Sequence, residues 1–281
     1  MVIVPRIAAV SYLNTIPFIY GIEHEGNLRA ELLLSPPSLC AKNFAEHKAD
    51  IALVPAAAVP SLADAQVVTE YCIGAAGPVR TVVLLSNEPI EKARRVFLDA
   101  HSLTSVQLAG YLLAKHWKVT PEYYTLEDYA QLGHALPGDA FLLIGDKVFD
   151  HEGRFAYSYD LAAEWKKATR LPFAFAVSGR REGYRPRPHG GVAACADFRY
   201  RAHLRSNSRT WFRQQTVRCV CLPYAEISTI FFDNQKHKAL QKFWDSGIKV
   251  TPRAIPAEEL SGQRSASLPN RIFNFKKESV L

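Results

Sequence analysis

Arg95-Val-Phe-Leu-Asp-Ala-His-Ser-Leu-Thr-Ser105 joins a short apolar run to a polar helix start. Its first residues form an apolar run, too short for a helix and closed by a polar group, which reads as a buried strand. Ser102-Leu-Thr-Ser105 then opens a helix whose apolar positions are Val106, Leu108, Leu112 and Leu113. A strand that ends in a polar turn and feeds a helix is half of a βαβ unit. The alternation recurs on both sides. Upstream, Arg6-Ile-Ala-Ala-Val10 runs into the polar turn Ser11-Tyr-Leu-Asn-Thr15, and Leu32-Leu-Leu34 reads as a second strand. A helix over 39–47, with Ser38 as N-cap, leads to the strand Asp50-Ile-Ala-Leu-Val54, closed by Pro55, and residues 79–85 are β-branched. Downstream, Ala140-Phe-Leu-Leu-Ile144 ends at Gly145-Asp146, and a helix over 161–167 precedes Leu171-Pro-Phe-Ala-Phe-Ala-Val177. The first 177 residues thus predict an α/β fold with a mostly parallel sheet.

Length and composition bound the rest. A chain of 281 residues suits two domains or one large one, and 48% apolar with 22% charged residues is ordinary for a globular protein. No apolar run reaches the 18 to 20 residues or so of a membrane helix. The N-terminus lacks the basic and apolar regions of an export signal. Five cysteines, Cys40, Cys72, Cys195, Cys219 and Cys221, form no CxxC pair, so the expectation is a reduced, cytoplasmic protein. No histidine pair has metal-ligand spacing, and Walker, GxGxxG, GxSxG and HExxH motifs are absent. Neither a metal nor a cofactor is expected.

The net charge of +7 is localised. Between 179 and 222, ten arginines face only Glu182 and Asp197, and no lysine occurs from 168 to 235. The remainder is close to neutral, which argues against nucleic acid as the partner. Apolar periodicity fails over 178–224 and returns at Asp233 in an amphipathic helix through Leu240, Phe243 and Trp244. An Arg-rich, Cys-rich, Lys-free stretch between two well-patterned ends reads as a segment translated in a shifted frame. Residues 261–281 form a polar tail.

In open α/β sheets, ligands bind beyond the carboxyl ends of strands. Polar groups stand there at Ser11 to Thr15, Pro55 with its alanines, Ser86-Asn87, Ser102 to Ser105, and Gly145-Asp146. Each is by itself an ordinary turn or cap; their recurrence at successive strand ends is what points to a site. The start of the helix at Ser102-Leu-Thr-Ser105 adds free N–H groups and a positive dipole end, which suit a carboxylate or phosphate.

Val10-Ser-Tyr-Leu-Asn-Thr-Ile-Pro-Phe18, Asp50-Ile-Ala-Leu-Val-Pro55, Gly77-Pro-Val-Arg-Thr-Val82 with Leu85-Ser86, Phe97-Leu-Asp-Ala-His-Ser-Leu-Thr-Ser105 and Leu142-Leu-Ile-Gly-Asp146 follow in order. With Leu171-Pro-Phe-Ala-Phe175, this series resembles the menaquinone-biosynthesis protein A family, the chorismate dehydratases of the futalosine route, over residues 6–177. The resemblance implies a two-lobed fold like that of type 2 periplasmic binding proteins, with a two-strand hinge and a cleft. Lobe 1 is expected at 1–85 and 178–260, with 178–224 atypical, and lobe 2 at 86–177. The crossings fall near 84–87 and 175–178.

The reaction implied is loss of water from chorismate to give 3-[(1-carboxyvinyl)oxy]benzoate. The resemblance places Asn14 and Ser11 at the substrate, with Asn14 catalytic. It gives carboxylate binding to Ser86, Thr104 and Ser105, and sets Asp146 facing the cleft from lobe 2. The partner is then a small-molecule substrate, with neither nucleic acid nor membrane, and the chain a monomer or dimer. The atypical segment implies a weakened enzyme. A non-catalytic carboxylate-binding protein of the same fold and the sibling dihydroxynaphthoate synthase are the alternatives.

Overall fold

The computed structural model describes residues 4–12, 15, 19, 30–62, 65–181 and 228–255. Two sheets organise them. In the first, β1 (Arg6–Val10) lies between β2 (Glu31–Ser35) and β3 (Ile51–Pro55) and runs parallel to both. Helix α1 (Pro37–Ala45) makes the crossover from β2 to β3, burying Cys40, Ala41 and Phe44. The long strand β10 (Phe173–Arg181) lies between β3 and β4 (Ala65–Ala75), antiparallel to each, and β11 (Ser228–Phe231) adds to the far side of β4. The order is β11-β4-β10-β3-β1-β2.

The second sheet has the order β7-β6-β8-β5-β9. Its parallel centre is β6 (Arg95–Asp99) between β7 (Glu122–Leu126) and β8 (Asp139–Ile144). Strand β5 (Val82–Ser86) is antiparallel to β8 and to β9 (Tyr157–Asp160). Helix α2 (Thr104–Tyr111) follows β6 and continues as a π-helical turn, Leu112–Trp117. Helix α3 (Leu161–Thr169) leads back to the first sheet, and α4 (Asn234–Asp245) packs on β10.

Both sheets are mixed rather than mostly parallel. The antiparallel strands β4, β5, β9 and β10 flank the two passages between lobes. Since β4 belongs to one sheet and β5 to the other, the chain crosses over 76–81 and returns over 161–172. β10 also runs past Ser178, pairing in register with β3 as far as Arg180 and, across a register shift between Val177 and Gly179, with β4 as far as Arg181, so the strand does not end at Ser178. Residues 182–227 and 256–281, with most of the atypical segment and the polar tail, lie outside the described residues.

One apolar core runs through both lobes. Its centre is Trp165 of α3, with no exposed surface, whose ring meets Phe173 of β10 at 5.0 Å, Tyr111 of α2 at 4.9 Å and Phe243 of α4 at 6.3 Å between centroids. Edge-on contacts of this kind add to the area buried. Beyond α4 the chain straps back over lobe 2. Val250 exchanges two hydrogen bonds with the Gln107 side chain, 2.7 and 2.9 Å, and Arg253 bridges to β7 at Tyr124.

Candidate functional site

Strands β1, β3, β6 and β8 all end toward the gap between the lobes, where a narrow cleft lies. Val10 and Tyr12 from the end of β1 and Pro55 from the end of β3 line it, as do Phe175 and Ala176 of β10. Lobe 2 contributes Thr81, Ser102 to Ser105, Ile144 and Gly145. The lining is largely apolar with a few converging hydroxyls, the usual make-up of a small-molecule site.

The helix start is held in place by its own serine. Ser102 Oγ accepts from the Ser105 N–H at 3.2 Å, so the first turn of α2 points its positive end into the cleft. Thr104 serves the lobe contact. Its hydroxyl donates to the Phe175 carbonyl at 2.9 Å and accepts from the Ala57 N–H at 3.2 Å. Ala56 N also donates to Phe175 O at 2.9 Å, and the Trp244 indole N–H donates to Ala56 O at 2.9 Å. The Pro55-Ala56-Ala57 turn therefore joins β3, β10, α2 and α4.

Across the cleft, the β1 exit is fixed by Ser11 N donating to Ser35 O at 3.1 Å. Ser11 itself is exposed and stands outside the lining, while its neighbour Tyr12 is within it. Asn14 lies outside the described residues. Asp146 begins a short 3-10 turn, Asp146–His151, directly after Gly145, close enough for its charge to act on Tyr12. Behind it, the buried carboxylate of Asp99 accepts from Lys147 Nζ at 2.6 Å, Tyr129 Oη at 3.2 Å and the His101 N–H at 3.0 Å. Burial, then the Asp99 charge, lifts the Tyr129 phenol far above its ordinary value.

Ser86, like Ser11 and Asp146, is not among the described residues that line the cleft. Because β5 runs antiparallel to β8, Val82 sits beside Ile144 at the cleft and Ser86 beside Ala140 at the opposite end, about 13 Å along the strand. There its hydroxyl donates to Asp139 O at 3.1 Å and accepts from Glu88 N at 3.2 Å, next to the bidentate Arg95–Asp139 pair at 2.8 Å. Thr81, just ahead of β5, takes the cleft position instead, 2% exposed, with its carbonyl accepting from Gly145 N at 2.8 Å. Thr81 is the polar lining residue that reading strand ends passes over, while Tyr12 lies within the Ser11–Thr15 turn without having been singled out. No local signal marks Thr81, because its place at the cleft follows from the antiparallel direction of β5.

Among the described residues no group of three or more His, Cys, Asp or Glu side chains is arranged to hold a metal ion, and no helix is long and apolar enough to cross a membrane.

The fold has many solved counterparts. Protein AF1704 from Archaeoglobus fulgidus superposes with a TM-score of 0.65 at 12% identity, over 86% of this chain and 95% of that one. A protein from Bordetella bronchiseptica gives 0.61 at 11% identity, over 86% and 88%. A Candida albicans protein described as having the generic periplasmic binding protein fold gives 0.54 at 10% identity, over 89% and 92%. These likenesses establish the two-lobed periplasmic-binding-protein-like fold. The sequence itself matches the family model described as menaquinone biosynthesis over residues 5–198, some twenty residues past Ser178. With that match spanning more than half its length, the chain belongs to the menaquinone-biosynthesis family.

Proposed function

We propose that the chain is a chorismate dehydratase, converting chorismate to 3-[(1-carboxyvinyl)oxy]benzoate and water. The observation that carries this reading is the make-up of the cleft. A helix N-terminus and the hydroxyls of Ser102, Ser105 and Thr81 face an apolar wall, and no lysine, histidine or acid stands among the described lining residues. Such a site holds a flat carboxylated ring at its polar end and has little strong acid or base to offer.

Chorismate needs little. The C3 proton is acidified by conjugation of the resulting carbanion with the ring carboxylate, and departure of the C4 hydroxyl aromatises the ring. The base is the substrate's own enolpyruvyl carboxylate, held over C3. The protein's share is to hold both carboxylates, align the breaking C–H and C–O bonds and exclude water. The first turn of α2 takes one carboxylate. By family resemblance Asn14 and Ser11 meet the substrate, with Asn14 donating to the departing hydroxyl.

The test is turnover by an Asn14→Ala variant. It is expected to lose at least about a hundredfold in kcat, the size of effect of one positioned donor, with its melting temperature unchanged. Unaltered kcat removes Asn14 from the reaction. Chorismate binding without conversion by the wild-type chain would favour the non-catalytic binding protein.

A further inference from the structure

Tyr12 is the only titratable side chain among the described residues that line the cleft, and it belongs to lobe 1 while leaning on lobe 2. A Cβ built on Gly145 would lie 3.2 Å from Tyr12 Cζ and 3.3 Å from Cε1 and Cε2, so the hydroxyl end of the ring rests on the Gly145 backbone. Gly145 has φ +74°, a conformation that favours glycine, and its bare Cα is the seat on which the ring lies. Among the described residues none accepts a hydrogen bond from the Tyr12 hydroxyl, while its backbone carbonyl is used by Thr15 N–H at 3.0 Å.

The groups around the phenol keep it protonated. Burial acts first, then the charge of Asp99, then that of Asp146, and together they hold it far above its ordinary 10.0. Asp99 in turn is paired with Lys147 at 2.6 Å, which offsets its charge beneath the ring.

We infer that Tyr12 is a specificity-determining residue, its phenol O–H donating a hydrogen bond to a carboxylate oxygen of the ligand bound between the lobes. The inference rests on the dehydratase reading for the ligand's identity and goes beyond it in assigning the donor. Because the ring is in place only when lobe 1 sits on Gly145, the same contact makes recognition of the carboxylate depend on approach of the lobes.

Tyr12→Phe keeps the ring and its seat while removing only the donor. Calorimetric titration with chorismate is expected to show binding weakened about 10- to 100-fold, the range for a hydrogen bond to a charged group, with KM raised in step and the melting temperature unchanged. Chorismate dimethyl ester, which lacks the charged acceptors, is expected to bind wild type and variant alike, a readout that a merely structural role for the hydroxyl would not produce. Gly145→Ala, which pushes the ring off its seat, is expected to weaken chorismate binding as well. Tyr12→Phe binding chorismate within twofold of wild type, with wild type converting it, overturns the role of Tyr12 alone. A wild-type chain that neither binds nor converts chorismate overturns the dehydratase reading and this assignment with it.

Discussion

The Thr104 hydroxyl donates to the Phe175 carbonyl at 2.9 Å, and this bond ties the first turn of the lobe 2 helix to the lobe 1 strand that returns from the hinge. The same oxygen accepts from Ala57 N, so one buried hydroxyl closes the floor of the cleft from both sides. Thr104→Val keeps the shape and removes both bonds, leaving the Ala57 N–H without its acceptor. We expect a loss of about 1–3 kcal/mol, read as a lower midpoint in urea at unchanged slope. An unchanged midpoint would mean that the lobes are joined by the apolar core around Trp165 alone.

The contrast between Ser86 and Thr81 yields a second expectation. Ser86→Ala is expected to leave kcat/KM within about twofold, because the hydroxyl serves Asp139 and Glu88 far from the ligand. Thr81→Ala, at the cleft, is expected to lower kcat/KM by about tenfold or more, the worth of one hydrogen bond to a charged group. Steady-state kinetics of the two variants decide the matter, and the reverse ranking would contradict the site described here.

How far the sequence could be read turns on such directions. The parallel strands β1, β3, β6 and β8 were legible as short apolar runs with polar ends, and those ends do converge. The rule that ligands sit beyond carboxyl ends holds for parallel strands. β5 has the same apolar signature, and nothing in Val82-Val-Leu-Leu-Ser86 says that it runs the other way. That single unknown leaves it unreadable from sequence that Thr81, and not Ser86, stands at the cleft end of β5. The helix start at Ser102 to Ser105 was visible as a cap pattern. That Thr104 is spent on a contact with residues 47 and 71 positions away is a tertiary fact that local sequence does not hold. β4 escaped notice because Gln66, Thr69, Glu70 and Gly74 interrupt its apolar run.

Asp160 gives a pH-dependent prediction. Its carboxylate caps α3 by accepting from Ala162 and Ala163 N–H at 3.0 Å, and reaches back to Val79 and Arg80 N–H of the hinge passage at 2.7 and 2.6 Å. Burial raises its pKa above the ordinary 3.8, with those four amides acting in the opposite direction. The folded chain therefore takes up this proton before the unfolded chain does as pH falls. Between the raised value and 3.8, acidification adds stability through this group, and above the raised value that contribution is gone. Asp160→Ala loses the cap and the hinge contacts, about 1–3 kcal/mol at neutral pH, and cannot take up the proton. The gap in stability between wild type and variant is expected to widen as pH is lowered through that window. A gap that narrows would contradict the assignment.

The strap beyond α4 rests on Gly110. A Cβ there would lie 2.2 Å from Val250 Cγ2, so Gly110→Ala forces the strap outward. The expected destabilisation is about 1–3 kcal/mol, as for an overpacked core. Val250→Ala in the same chain is expected to recover much of it, because it removes the methyl in the way. A double-mutant cycle by thermal melting with no coupling between the two sites would mean that the strap does not bear on α2.

The proposed dehydration of chorismate is tested most directly by incubating the purified wild-type chain with chorismate and following the mixture by mass spectrometry and ultraviolet absorbance. We expect a product one water lighter than chorismate, with the spectrum of a substituted benzoate, accumulating in proportion to the protein added. Chorismate left unchanged by a folded chain would contradict it.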